Sequence, residues 1–230
     1  ADYHRGNPRS LAVGIHMTGL YMGQALGGFG ATVAHEWSWQ TAFHSFGLAG
    51  VLYSVILIFF LKEKREVAVQ EKKNYGLSGG LKSVGVSLGA LLGTISFWVI
   101  LFYFAAPSFP GWATKNWLPT LFSDTLGINM AQAGPLATIT IAASSFLGVI
   151  SGGILADRWI SVNLRGRIYT GAIGLSLTLP ALLLLGFGDS LLTVLGGGIL
   201  FGIGFGMFDA NNMPILCQIV DRRYRATAYG

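Results

Sequence analysis

Six long runs of apolar residues, parted by short polar stretches, account for most of the chain; they lie at about 11–34, 40–61, 94–122, 133–156, 168–187 and 191–220. A helix needs about 20 residues to cross ~30 Å of hydrocarbon, and each run reaches that length. The runs are continuous rather than alternating with a period of two, so they predict helices and not the strands of a barrel. A helix satisfies its own backbone hydrogen bonds, which lipid cannot do for it. The expected fold class is all-α: a polytopic membrane protein with six transmembrane helices.

The third run departs from the pattern. Its 29 residues would span about 43 Å as a straight helix, and Pro107, Pro110 and Gly111 interrupt it. Each interior proline removes a backbone hydrogen bond, so a helix broken to open a cavity is expected here. Small residues recur at four-residue spacing: Gly19, Gly23 and Gly27 in the first run, Gly148 and Gly152 in the fourth, Gly198, Gly202 and Gly206 in the sixth. In lipid such stripes let helix backbones approach closely. Between the second and third runs, residues 62–93 form a polar linker that divides the chain into 1–61, 62–93 and 94–230. Its later part carries Leu77, Leu81, Val84, Leu88 and Leu91 at helical spacing. That stripe suits a helix on the inner leaflet with Lys82 toward the headgroups, or else an early start of the third span.

Composition agrees with a lipid solvent: 52% of residues are hydrophobic and only 11% charged, against about 25% charged in a soluble domain. One cysteine, Cys217, leaves no disulfide framework or metal cluster. Of the 15 basic residues, 14 fall before the first run or after the second, fourth and sixth, and Lys115 is the exception. By the positive-inside rule that shared side is the cytosol. The basic residues are spread among these loops, not gathered as nucleic-acid recognition would need. Residues 1–10 are polar and do not resemble a signal peptide. The last two residues read as the start of another apolar segment, so the chain is expected to be a piece of a longer protein.

Ionisable residues at membrane depth are few. Lys115, followed by Asn116, either binds an anionic group in a cavity or snorkels to the headgroups. Asp209 stands three residues after Gly206; it either bonds a neighbouring helix or serves substrate or proton binding. Asn212, three residues further on, shares its face, with Asn211 and Pro214 beside it. Tyr21, Gln24 and Tyr103 are the remaining hydrogen-bonding candidates for an organic ligand, although buried tyrosines more often pack. A proton-coupling role for His16 or His44 is weaker. No His, Glu or Asp spacing suits a metal, and no nucleophile–base pair converges, so no enzymatic role, metal or cofactor is expected. Asp157 and Arg158, with Arg165 and Arg167 across a short loop, either close and open a cytosolic gate or only mark that loop.

The two ends of the chain match. Arg9-Ser10-Leu11-Ala12-Val13-Gly14 and Arg225-Ala226-Thr227-Ala228-Tyr229-Gly230 share R-x-x-A-x-G at an offset of six spans, the mark of a parallel repeat of six-helix halves. Gly153-Ile154-Leu155-Ala156-Asp157-Arg158 is similar to the cytosolic gate motif of the major facilitator superfamily, although six residues intervene before Arg165-Gly166-Arg167. Trp39-Gln40-Thr41-Ala42-Phe43 resembles that family's entry to its sixth helix, with glutamine for the usual arginine. The resemblance implies helices five to ten of a twelve-helix fold: 1–61 would end the first half and 94–230 would supply most of the second.

Gly14, Gly23, Gly27 and Gly28 follow part of the family's antiporter motif, but its proline is absent, which favours a uniporter or symporter. Trp117-Leu118-Pro119-Thr120 resembles the organic-anion:cation symporters, and Asn212-Met213-Pro214 resembles them and the spinster-like carriers. The resemblance thus implies a secondary active transporter of a small organic solute, such as a sugar acid or carboxylate. It would work by alternating access, as a symporter coupled to H+ or Na+. The alternatives are a spinster-like lysolipid exporter and a non-transporting scaffold or sensor. The expected setting is a bacterial inner membrane or cell membrane, with the bilayer and the missing helices of the same protein as partners and no nucleic acid.

Overall fold

The computed structural model describes residues 8–60, 85–86, 88–220 and 228, with side chains from residue 18 onward. Seven helices of at least eight residues lie among them: α1 (Pro8–Gly27), α2 (Phe29–Glu36), α3 (Trp39–Phe60), α4 (Ile95–Leu126), α5 (Met130–Ile160), α6 (Gly166–Phe187) and α7 (Leu191–Ile219). The described residues contain no strand. Helices α3 to α7 are each long and apolar enough to cross a membrane. The first predicted run is covered by α1 and α2 together, parted at Gly28. The protein is an all-α, polytopic membrane protein.

Local sequence explains the helix ends. Gly127 adopts φ 63°, the left-handed conformation that stops α4. Asn129 opens α5 by accepting a hydrogen bond from the Gln132 amide at 3.0 Å. Ser190 and Thr193 form a reciprocal capping box at the start of α7.

The third run is not broken as its prolines predict. α4 stays helical for 32 residues through Pro107, Pro110 and Pro119. Each proline removes a single i→i−4 bond, and the bonds on either side carry the helix through. Most of the linker stripe (Leu77, Leu81, Val84 and Lys82) lies outside the described residues, as do the basic residues of 62–82. Residues 88–92 are helical and are separated from α4 by Gly93 and Thr94, so this stretch is not an early start of the third span. Its Leu91 is buried against Ile100, Ile215 and Leu216.

Helix α7 is the centre of the bundle, lying between α5 and α6 with α4 across it. One apolar core joins Leu118 and Phe122 of α4 to Ala137 and Ile141 of α5, Ala181 and Leu185 of α6, and Phe201 of α7. Close approach depends on the glycine stripes. A Cβ at Gly148 would strike the Ile203 carbonyl, one at Gly206 the Ser145 carbonyl, and one at Gly174 the Gly204 carbonyl. The stripe of the first run behaves differently: nothing stands within 4 Å of a Cβ at Gly19, Gly23 or Gly27, and the close contact falls instead at Gly28. Among the described residues helix α3 packs chiefly on α2 and leaves Phe43, Ile58, Phe59 and Phe60 more than 70% exposed. So large an apolar surface is suited to lipid or to further helices, not water.

Candidate functional site

Three helices bring their polar residues to one place. Helix α7 carries Asp209, α1 carries Tyr21 and α4 carries Lys115. Tyr21, 5% exposed, lies beside the Asp209 carboxylate. Asn212 donates through Nδ2 to Asp209 Oδ1 at 3.2 Å, from one helical turn away on α7. The Lys115 ammonium attracts the same carboxylate through space. It lies over the ring of Phe205, 4.2 Å from the centroid, where the ring's negative face stabilises a cation.

Phe205 is placed by the helix register. It sits one turn before Asp209 on α7, and on α4 Gly111 sits one turn before Lys115. A Cβ at Gly111 would run into the Phe205 ring, so glycine there lets the ring lie against α4, beneath the lysine. The ring also stacks on Phe201, with centroids 5.8 Å apart, and meets Phe208 edge-on. Behind it, α4, α6 and α7 line an open groove of about 290 Å³ that includes Pro107, Pro110, Gly111, Leu179 and Phe201. The groove's hydroxyls are turned inward: Ser176 donates to Ala172 O and Thr178 to Leu175 O. Its surface is therefore largely apolar.

Asp209 has both Tyr21 and Asn212 beside it, whereas among the described residues Lys115 has a ring face and that shared carboxylate. Buried Asn212 Oδ1 has no hydrogen-bond partner among the described residues.

The other residues expected at the site fall elsewhere. Gln24 lies on the turn after Tyr21, half-buried. Asn116 is exposed and its amide donates to Trp112 O of its own helix, 2.8 Å away. Tyr103 stands one ring further along the same aromatic chain, against Phe208 and Phe104, its hydroxyl buried against Gly171 without a hydrogen-bond partner among the described residues. The side chain of His16 lies outside the described residues, and His44 is exposed. Phe205 was not expected; its position four residues before Asp209 was the available signal.

At the far end of α5, Arg167 Nη2 meets Asp157 Oδ1 at 3.2 Å. The pair ties the last turn of α5 to the first turn of α6 across the intervening loop. Arg158 and Arg165 are exposed and make no ion pair among the described residues. The acid of this loop thus engages the last of its arginines rather than its neighbour. Asp157→Asn is expected to cost less than about 1 kcal/mol of stability, because the Asp157 side chain is 70% exposed. The charge-swapped pair Asp157→Arg with Arg167→Asp should restore whatever uptake each single change removes; a swap no better than the singles would show that the pair does not act as a unit.

A family model described as Major Facilitator Superfamily matches residues 1–230. "Probable anion transporter 1, chloroplastic" of Oryza sativa subsp. japonica is 25% identical over 70% of this chain and 32% of its own length. "Probable anion transporter 6, chloroplastic" of Arabidopsis thaliana is 27% identical over 59% of this chain and 29% of its own. "Synaptic vesicular amine transporter" of Rattus norvegicus is 26% identical over 100% of this chain and 40% of its own. The chain spans less than half the length of these curated relatives. No solved structure matches.

Proposed function

Because the chain belongs to the major facilitator superfamily, we propose that it is the central part of a secondary active transporter for a small organic anion, a sugar acid or other carboxylate, working by alternating access. The observation that carries this reading is the Lys115 ammonium, held at membrane depth over Phe205 and beside an acid that is already shared. A substrate carboxylate would take Lys115, and its hydroxyls would meet Asn212 Oδ1 and the Tyr21–Asp209 pair. Asp209, released from Lys115, is the coupling group: it accepts a proton, or a sodium ion beside Asn212, when the anion binds. Symport follows from that exchange, since anion and cation enter one site together.

The names of the relatives include both anion and amine transporters. An amine at Asp209 would lie against the Lys115 charge, so the anion fits better. A second reading draws on the apolar groove behind Phe205: an amphipathic anion would put its head on Lys115 and its chain along α4, as a lysolipid carrier would require.

Thermal unfolding of the intact protein against sugar acids, amino acids, amines and lysolipids tests these readings, because a ligand of the native state raises the melting temperature. Sugar acids or simple carboxylates should raise it in the wild type and not in Lys115→Gln. Stabilisation by amines alone would reverse the substrate charge, and stabilisation by lysolipids alone would select the second reading. Counterflow of labelled ligand in vesicles then separates a carrier from a scaffold that binds without transporting.

A further inference from the structure

Where α1 gives way to α2, the chain crosses the first turns of α5 backbone against backbone. A Cβ at Gly28 would stand 2.6 Å from the Gly134 carbonyl oxygen, and one at Gly134 would stand 2.8 Å from that of Gly28. Each helix at this crossing has lost part of its own hydrogen bonding. Pro135 has no amide hydrogen, so the Ala131 carbonyl four residues earlier lacks its helical donor. Helix α1 stops at Gly27, so the Ala25 carbonyl, in its last turn, lacks one too. Thr32 Oγ1 of α2 donates to Ala131 O at 2.7 Å. Thr138 Oγ1 of α5 lies 3.0 Å from Ala25 O and equally 3.0 Å from Gly134 O of its own helix, so its one proton is shared between the two carbonyls. Each side thus supplies the donor that the other is missing.

We propose that Thr32 and Thr138 form a reciprocal latch that holds shut the end of the bundle opposite the Asp157–Arg167 pair, and that its release opens that end. An unsatisfied carbonyl is costly in an apolar setting, so the closed crossing depends on both threonines. When the helices part and water enters, water satisfies both carbonyls, and the latch opens reversibly. The contact also bears on the binding site, because Ala25 lies one turn beyond Tyr21 on α1. The inference rests on the alternating-access reading above.

The test uses the intact protein in nanodiscs, with Cys217→Ser and spin labels on cysteines replacing His35 and Met130, both exposed, at the ends of α2 and α5. Pulsed electron resonance then reads the ratio of the longer (open) to the shorter (closed) distance. The Thr32→Val, Thr138→Val pair should raise that ratio about tenfold, from the loss of two hydrogen bonds at roughly two- to tenfold each. Serine at both positions should leave it unchanged. Pro135→Ala returns an amide to the Ala131 carbonyl, so Thr32→Val in that background should no longer shift the ratio. An unshifted ratio in the valine pair, or an equal shift by Thr32→Val with and without Pro135, would overturn the latch while leaving alternating access in place. One fixed distance in the wild type and all variants, with or without stabilising ligand, would remove the alternating-access reading and the latch with it.

Discussion

Lys115→Gln is expected to weaken binding of the anionic substrate by thirtyfold or more, and uptake with it. Truncating one partner of a buried charge pair costs about 2–5 kcal/mol, much of it from the charge left unpaired, and at 1.4 kcal/mol per decade this sets the size of the loss. Asp209→Asn should behave in the opposite way at equilibrium. If Asp209 competes with the substrate for Lys115, removing its charge frees the lysine, and the measured Kd should stay the same or fall. Accumulation driven by a proton or sodium gradient should nevertheless disappear while counterflow persists, because the group that takes up the coupling cation has gone. Binding assays and gradient-driven uptake on the same two variants separate these effects. A Kd for the carboxylate unchanged by Lys115→Gln would take the lysine out of the site. Loss of binding in Asp209→Asn would make the acid a structural clasp for Tyr21 and Asn212 instead of a competitor.

The three residues of the candidate site were not equally visible in the sequence. Lys115 and Asp209 stand out on their own, as charges inside apolar runs that lipid would otherwise penalise. Tyr21 is one of many aromatic residues and gains its meaning only from the carboxylate it meets. That the three come together depends on α1 packing on α5 and α4 on α5 and α7, a tertiary fact that no spacing within one helix encodes. Asn116, the neighbour of Lys115, illustrates the converse. Consecutive helical residues point about 100° apart, so a residue next to a functional one faces elsewhere. The same geometry explains the loop pair. Asp157 and Arg158 are adjacent in sequence and diverge in space, whereas the chain folds back through the turn after α5 and sets Arg167 on the first turn of α6 beside Asp157.

The transmembrane runs were legible because hydrocarbon imposes a length and composition that few other environments do. Their interruptions were not. Pro107, Pro110 and Gly111 in α4 read as a break, yet the helix continues; Gly27 and Gly28, read for packing and as part of a motif, mark the place among the described residues where a predicted span parts. The difference is what lies across from them. Gly28 has the backbone of α5 against it, so the course of the chain there is set by a neighbour and not by local propensity.

The same distinction predicts which glycines the fold requires. Gly148→Val, Gly174→Val and Gly206→Val are each expected to abolish folded protein, whereas Gly186→Ala and Gly196→Ala should be neutral or mildly stabilising. At the first three positions the new side chain meets backbone of the facing helix: Ile203 O, Gly204 O and Ser145 O. Backbone cannot turn aside as a flexible side chain would, so α7 must move off α5 or α6. Overpacking in a core that can adjust costs about 1–3 kcal/mol; here the displaced helix also gives up contacts along its whole crossing, against a total stability of about 5–15 kcal/mol. At Gly186 and Gly196 nothing lies within 4 Å of an added Cβ, and alanine is the better helix former by about 0.5–1 kcal/mol. Monodispersity in detergent and the thermal midpoint of each variant measure the contrast. Equal tolerance at all five positions would mean that α7 does not lie in backbone contact with its two neighbours. In that case the route by which Asp209 reaches Tyr21 and Lys115 would also have to be different.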